Sequence, residues 1–179
     1  YQLHALTTME DVDTVFGEGG AMETFIAARD EGLVRNIGFS AHSDEAAIAA
    51  MDRFDFDTTL FPINCVCVEN GDFGPAVIQK AQEKDVSILA IKGLAWTRVQ
   101  GGQDRPYPNC WYQPIDDPDL ARLGLGYTLD KPVVAAVSPA SAELLMLAAE
   151  VGRRHQPLTD DRRAELMQRL DGVTPIFPQ

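Results

Sequence analysis

The sequence is poor in cysteine and in basic residues, and it has no long apolar run. Its three cysteines, Cys65, Cys67 and Cys110, are odd in number and form no Cys-x-x-Cys pair. That pattern suggests neither a disulfide framework nor a zinc or iron–sulfur centre, and it fits a reducing, cytoplasmic setting. Lys and Arg total 15 against 27 Asp and Glu, a formal net charge of -12. Nucleic acid needs a basic surface to meet its phosphates, so the charge argues against it as a partner. No apolar stretch is long enough to cross a bilayer, and the amino end lacks the basic-then-apolar order of a signal peptide. No membrane partner is expected. No Gly-x-Gly-x-x-Gly follows the first apolar run and no P-loop occurs, so the usual nucleotide motifs of open sheets are missing.

What is present is a repeating plan, clearest in Glu31-Gly32-Leu33-Val34-Arg35-Asn36-Ile37-Gly38-Phe39-Ser40-Ala41-His42-Ser43. Gly32 suits the left-handed conformation that closes a helix, and Asn36 to Phe39 is a short buried strand. Ser40, His42 and Ser43 then gather polar groups at the strand's carboxyl end, where Ser43 or Asp44 caps a helix over 45–53. The same plan recurs along the chain. Tyr1 to Leu6 is an apolar run holding His4, followed by a polar, acidic loop through Gly20. Met22, Phe25, Ile26 and Leu33 recur at helical spacing. Thr58 to Ile63 reads as a strand with Pro62 near its end and Asn64 just beyond. A helix over 74–85, with Val77, Ile78 and Ala81 inward, leads to an apolar strand over 86–91 that ends at Lys92-Gly93-Leu94.

Residues 96–118 interrupt the plan with glycines, prolines and aromatics, and read as a long irregular loop of the kind that is often functional. Pro118 opens a helix to Leu129, Pro132 ends it, and Val133 to Val137 is a buried strand. Ser138-Pro139-Ala140-Ser141 turns into an apolar helix over 142–153. Thr159 caps a last helix over 160–171, carrying Leu166, Met167 and Leu170, and Pro175-Ile176-Phe177-Pro178 is a tail against the outside of the body. Five strands with covering helices, and no strand pair close enough for a hairpin, make an all-parallel sheet. The candidates are a doubly wound open sheet or the carboxyl portion of an eight-stranded barrel. Both place ligands at the carboxyl ends of the strands.

Five motifs, in order, resemble the aldo/keto reductases: Tyr1-Gln2-Leu3-His4, Glu31 to Ser40 as quoted above, Leu60-Phe61-Pro62-Ile63-Asn64, Leu89-Ala90-Ile91-Lys92-Gly93-Leu94, and Val137-Ser138-Pro139. The resemblance implies a parallel α/β TIM-type (β/α)₈ barrel, of which residues 1–179 are the carboxyl-terminal part of a single domain, from barrel strand 4 onward. It implies an NADPH-dependent reduction of aldehydes or ketones by hydride transfer, with NADH as the other cofactor, acting on a small carbonyl substrate. His4 matches the histidine that orients the carbonyl. The Tyr, Lys and Asp of the family's chemistry belong to earlier strands, and Lys92 does not replace that Lys. Ser40 matches the residue that contacts the nicotinamide carboxamide, although the Asn that usually follows is Ala41. Asn64 stands where the family has a Gln or Asn under the nicotinamide. Lys92, Gly93 and Leu94 fall where the loop meets the pyrophosphate, and Ser138 falls near the adenosine. No metal ligand set is implied.

Two readings result. In the first, the parent protein is a nicotinamide-dependent oxidoreductase, and this chain alone, lacking the general acid, is inactive. In the second, it is a non-catalytic incomplete barrel used for binding or assembly, with strand edges that need a partner. His42 and His155 read as a loop and a surface histidine. Trp96, Trp111 and Tyr112 either shape a substrate pocket or anchor the long loop.

Overall fold

A computed structural model describes residues 1–101 and 105–177. Residues 102–104 of the irregular loop and Pro178 of the tail lie outside them. The strands β1 (Gln2–Leu6), β2 (Gly38–Ala41), β3 (Thr58–Pro62), β4 (Ser87–Ile91) and β7 (Ala135–Ala136) form one sheet in the order β1-β2-β3-β4-β7. The β1–β2 and β2–β3 pairs are parallel, with Gln2 opposite Gly38 and Gly38 opposite Thr58. The chain forms two compact units, Tyr1–Phe61 with Gly74–Leu89, and Pro62–Phe73 with Ala90–Gln179.

In the first unit the helices are α1 (Met9–Phe16), α2 (Ala21–Asp30), α3 (Asp44–Arg53) and α5 (Pro75–Glu83). The segment before Gly20, expected to be a loop, is largely α1. Thr8 accepts from the Asp11 N–H while the Asp11 carboxylate accepts from the Thr8 N–H, a capping box that offsets the cost of nucleating a short helix. Gly32, at φ 75°, closes α2 as expected, with the Leu33 N–H donating to the Ala28 carbonyl and the Gly32 N–H to that of Arg29. Leu33 is thereby carried off the helix and is exposed rather than on its apolar face. Ser43 caps α3, whose Ala46, Ala47, Ala50 and Met51 are buried. Gly38 is required where it stands, because a Cβ there would lie 2.1 Å from the Thr58 hydroxyl oxygen.

The second unit contains α4 (Cys65–Gly71), α6 (Pro118–Leu129), α7 (Ala142–Arg153) and α8 (Asp160–Leu170). Helix α4 has no counterpart in the sequence reading; its seven residues are too few for a helical period to show. Cys65, Val66, Leu123, Tyr127, Leu166 and Leu170 form one core cluster, and Leu94, Ile115, Ala121, Leu125 and Val151 another. Met167, read as inward, is 38% exposed. The irregular loop holds a two-stranded antiparallel sheet, β5 (Ala95–Arg98) with β6 (Tyr112–Pro114), so not every strand pairing in the chain is parallel. The strand expected over 133–137 is only β7, and Val134 is 64% exposed. It lies at the edge of the sheet beside β4, and just beyond it the Val137 N–H donates to the Ala90 carbonyl. Among the described residues no helix is long and apolar enough to cross a membrane, and no group of His, Cys, Asp and Glu is placed to hold a metal ion.

Candidate functional site at the carboxyl ends of the strands

Among the described residues, four other than glycine have a left-handed backbone: Ala5, Asp72, Asp85 and Lys92. The two aspartates sit at chain reversals, where short polar side chains tolerate that conformation. Ala5 and Lys92 lie instead at the carboxyl ends of β1 and β4. Strain held there by side chains that gain nothing from it is characteristic of a site.

In the first unit the strain at Ala5 comes with an irregularity in β1 between Leu3 and Leu6. It is held by Ser40, whose Oγ accepts from the Ala5 N–H at 2.7 Å and donates to the Leu3 carbonyl at 3.4 Å. The hydroxyl predicted to meet a carboxamide is thus engaged with the backbone beside His4. His4 itself is exposed, on the strand adjacent to Ser40. The two residues are therefore neighbours, and the ring of His4 is open to a ligand.

In the second unit Asn64 is fully buried and caps α4, its Oδ1 accepting from the Cys67 N–H at 2.9 Å. Among the described residues its Nδ2 has no partner, an orphaned donor of the kind that a bound carbonyl satisfies. Burial pushes the Cys67 thiol's pKa up, opposed by backbone hydrogen bonds from Phe177 and Ile176 and by the charge of Lys92. Burial also pulls the Lys92 ammonium down, with Cys67 opposing. The Lys92 Nζ lies 5.7 Å from the centroid of the Phe177 ring. Gly93, Leu94 and Ser138 meet on a cleft of about 190 Å³ walled by α6 and α7 through Leu125, Leu129 and Ala148. A Cβ on Gly93 would be 3.1 Å from Leu125 Cδ1, so a glycine keeps the floor of that cleft close-packed.

The structure thus gathers Asn64, Lys92, Gly93, Leu94 and Ser138 in one unit and His4 with Ser40 in the other. Sequence reasoning missed Cys67 and Phe177. The first lies in α4, a helix too short to show in the sequence. The signal for the second was the short Pro175-Ile176-Phe177 run, which is apolar enough to be buried. His155, read as a surface residue, places Nε2 3.2 Å from Asp130 Oδ1.

No protein-family model matches the sequence, and no curated protein matches it significantly. Solved structures do. An aldo-keto reductase of Bacillus halodurans in its holo form matches 95% of this chain and 57% of its own, at 22% identity and a TM-score of 0.62. The glycerol dehydrogenase of Gluconobacter oxydans matches 99% and 60%, at 16% identity and 0.59. A Bombyx mori aldo-keto reductase in complex with NADP matches 94% and 56%, at 18% identity and 0.58. This is the aldo-keto reductase fold, in part. The chain spans somewhat more than half the length of these structures, and the fold supplies the TIM-type barrel frame that its motifs implied. Within the aldo-keto reductase fold the α/β architecture and the parallel sheet stand as read. The antiparallel β5–β6 pair lies outside the barrel sheet.

Proposed function

We propose that this chain is the carboxyl-terminal part of a single barrel domain whose whole reduces aldehydes or ketones with a nicotinamide cofactor, NADPH in the first instance and NADH as the alternative. The observation that carries the reading is the pair of strained residues, Ala5 and Lys92, at the two strand ends where the motifs put the carbonyl and the cofactor. The cofactor supplies a hydride to the carbonyl carbon. His4 donates a hydrogen bond to the carbonyl oxygen, where negative charge develops, and so lowers the barrier. Ser40 acts on this histidine indirectly, by fixing the backbone of Ala5. Asn64 offers its unpaired Nδ2 to the carboxamide, Lys92 its charge to the pyrophosphate, and Gly93, Leu94 and Ser138 the cleft for the adenosine end. A partly buried ammonium is well suited to a phosphate, since a charge-assisted contact is worth about 1.5–3 kcal/mol.

The test is calorimetric titration of the 179-residue chain with NADPH, beside Lys92→Met. The expected result is measurable binding that weakens on the order of tenfold or more in the variant. Equal binding by the two proteins removes Lys92 from the site and the reading with it. The chain alone is expected to turn over no aldehyde, because losing a positioned general acid costs on the order of 10²–10⁴ in rate.

A further inference from the structure

The segment Thr174-Pro175-Ile176-Phe177 follows α8 and, among the described residues, pairs with no strand. Pro175 biases Thr174 toward an extended backbone, so the segment cannot satisfy its own carbonyls and must find donors elsewhere. It finds them on β5 and α4. Thr97 Oγ1 donates to the Thr174 carbonyl at 2.8 Å. The Arg98 guanidinium grips the Ile176 carbonyl through Nε at 3.2 Å and Nη2 at 2.9 Å. Asn70 Nδ2 donates to the Leu170 and Val173 carbonyls, each at 2.7 Å, which fixes where the segment leaves α8. Ile176 is 1% exposed. The Phe177 ring stacks on Phe73, with centroids 5.2 Å apart and planes 21° from parallel, and meets Trp111 edge-on at 5.7 Å. Gly71 has no side chain where one would matter, since a Cβ there would stand 2.8 Å from the Phe177 carbonyl oxygen.

This seat is specific, and it lies over particular residues. The segment packs closely on α4 at Gly71, the helix that Asn64 caps through its Oδ1. The Phe177 ring lies over the Lys92 ammonium. Asn64 and Lys92 are the residues assigned above to the nicotinamide and pyrophosphate, whereas the cleft of Gly93, Leu94 and Ser138 does not include any residue of the segment. A flat aromatic ring therefore stands beside the cation that the cofactor's phosphates would use, and its segment lies on the helix capped by the amide assigned to the nicotinamide.

We infer that residues 174–177 are a strap that occupies the nicotinamide end of the cofactor groove, so that the dinucleotide binds fully only when Phe177 leaves its seat. The inference rests on the cofactor reading above. It is selective: the strap opposes the nicotinamide half and leaves the adenosine half alone. Binding that requires a minor, open state is weakened by the fraction of molecules open. A strap seated in 90–99% of molecules weakens NADPH on the order of 10- to 100-fold.

The experiment titrates the 179-residue chain, Phe177→Ala and Arg98→Gln calorimetrically, each with NADPH and with 2′,5′-ADP, which lacks the nicotinamide. The first variant removes the plug. The second loosens its grip from a residue outside the proposed cofactor site, and thermal melts establish that both are folded. The expected result is NADPH binding tightened on the order of tenfold or more in both variants, with 2′,5′-ADP binding unchanged. If NADPH binds wild type and variants alike, the strap is overturned and the cofactor reading stands. If both variants gain equally for both ligands, the segment covers the whole groove and the selective strap is wrong. If none binds either ligand, the cofactor reading falls and the strap falls with it.

Discussion

Asp57 shows how much one side chain settles in this chain. It sits between two strands' worth of backbone, accepting from the Ile37 N–H at 2.7 Å and from Asn36 Nδ2 at 3.0 Å. Burial alone would raise its pKa, but these hydrogen bonds and the charge of Arg29 outweigh it and hold the carboxyl below its usual value. A group depressed in the folded state adds stability that is complete above its unfolded pKa, about 3.9, and is lost as pH falls through the lower folded value. The melting temperature should therefore drop through that acid window, and less steeply in Asp57→Ala. The same variant leaves the Ile37 N–H buried without its acceptor, at a cost of about 1–3 kcal/mol in urea unfolding at neutral pH. Cys65 gives a second residue-scale expectation. Burial pushes its thiol up to about 12. At pH 8 it is almost wholly protonated, so iodoacetamide should leave it unmodified in the native protein and label it after denaturation, as read by peptide mass spectrometry. Labelling of the folded chain would mean that α4 opens readily.

At the scale of an element, α7 separates burial from composition. Leu144 is 1% exposed, while Leu145 and Met146 are 45% and 68% exposed. Leu144→Ala should cost about 2–5 kcal/mol and Met146→Ala within about 0.5, measured by urea unfolding of both variants. Equal effects would mean that the helix is turned differently on its axis. The same helix shows what was legible beforehand. Its limits followed from the Ser138-Pro139-Ala140-Ser141 turn and the apolar run after it, and α6, with Pro118 at its first turn, was read to the residue. Helices shorter than about two turns were not. The signals for α1 and α4 are a capping box and an asparagine cap, local hydrogen bonds that polar residues make equally well in loops. The β5–β6 pair was hidden for another reason, since the long stretch between its strands carries no turn motif of fixed length.

On the scale of the whole molecule, the formal net charge of -12 is a uniform stress. Self-repulsion of this kind weakens with screening, so raising sodium chloride from about 0.01 to 0.15 M, which shortens the Debye length from about 30 to about 8 Å, should raise the melting temperature. A flat or falling response would mean that local ion pairs, such as Arg163 on Asp130, matter more than the overall charge. The parallel sheet and its partial-barrel fold were legible at this scale from the order of the motifs along the chain. The candidate site was legible in part. His4, Lys92 and Ser138 could be placed from their neighbours in sequence, but that Ser40 spends its hydroxyl on β1, or that Phe177 reaches Lys92, depends on residues 35 or more positions away. That same distance has a cost in time. Gln2 meets Gly38, and Gly38 meets Thr58, only after the helices between them have been looped over. Loop closure must precede every pairing in this sheet, so folding belongs to the slow, non-local regime of milliseconds to seconds, with helices forming well before strands. During that interval the unpaired strand edges are open to other chains, and the yield of native protein depends on its concentration as it folds.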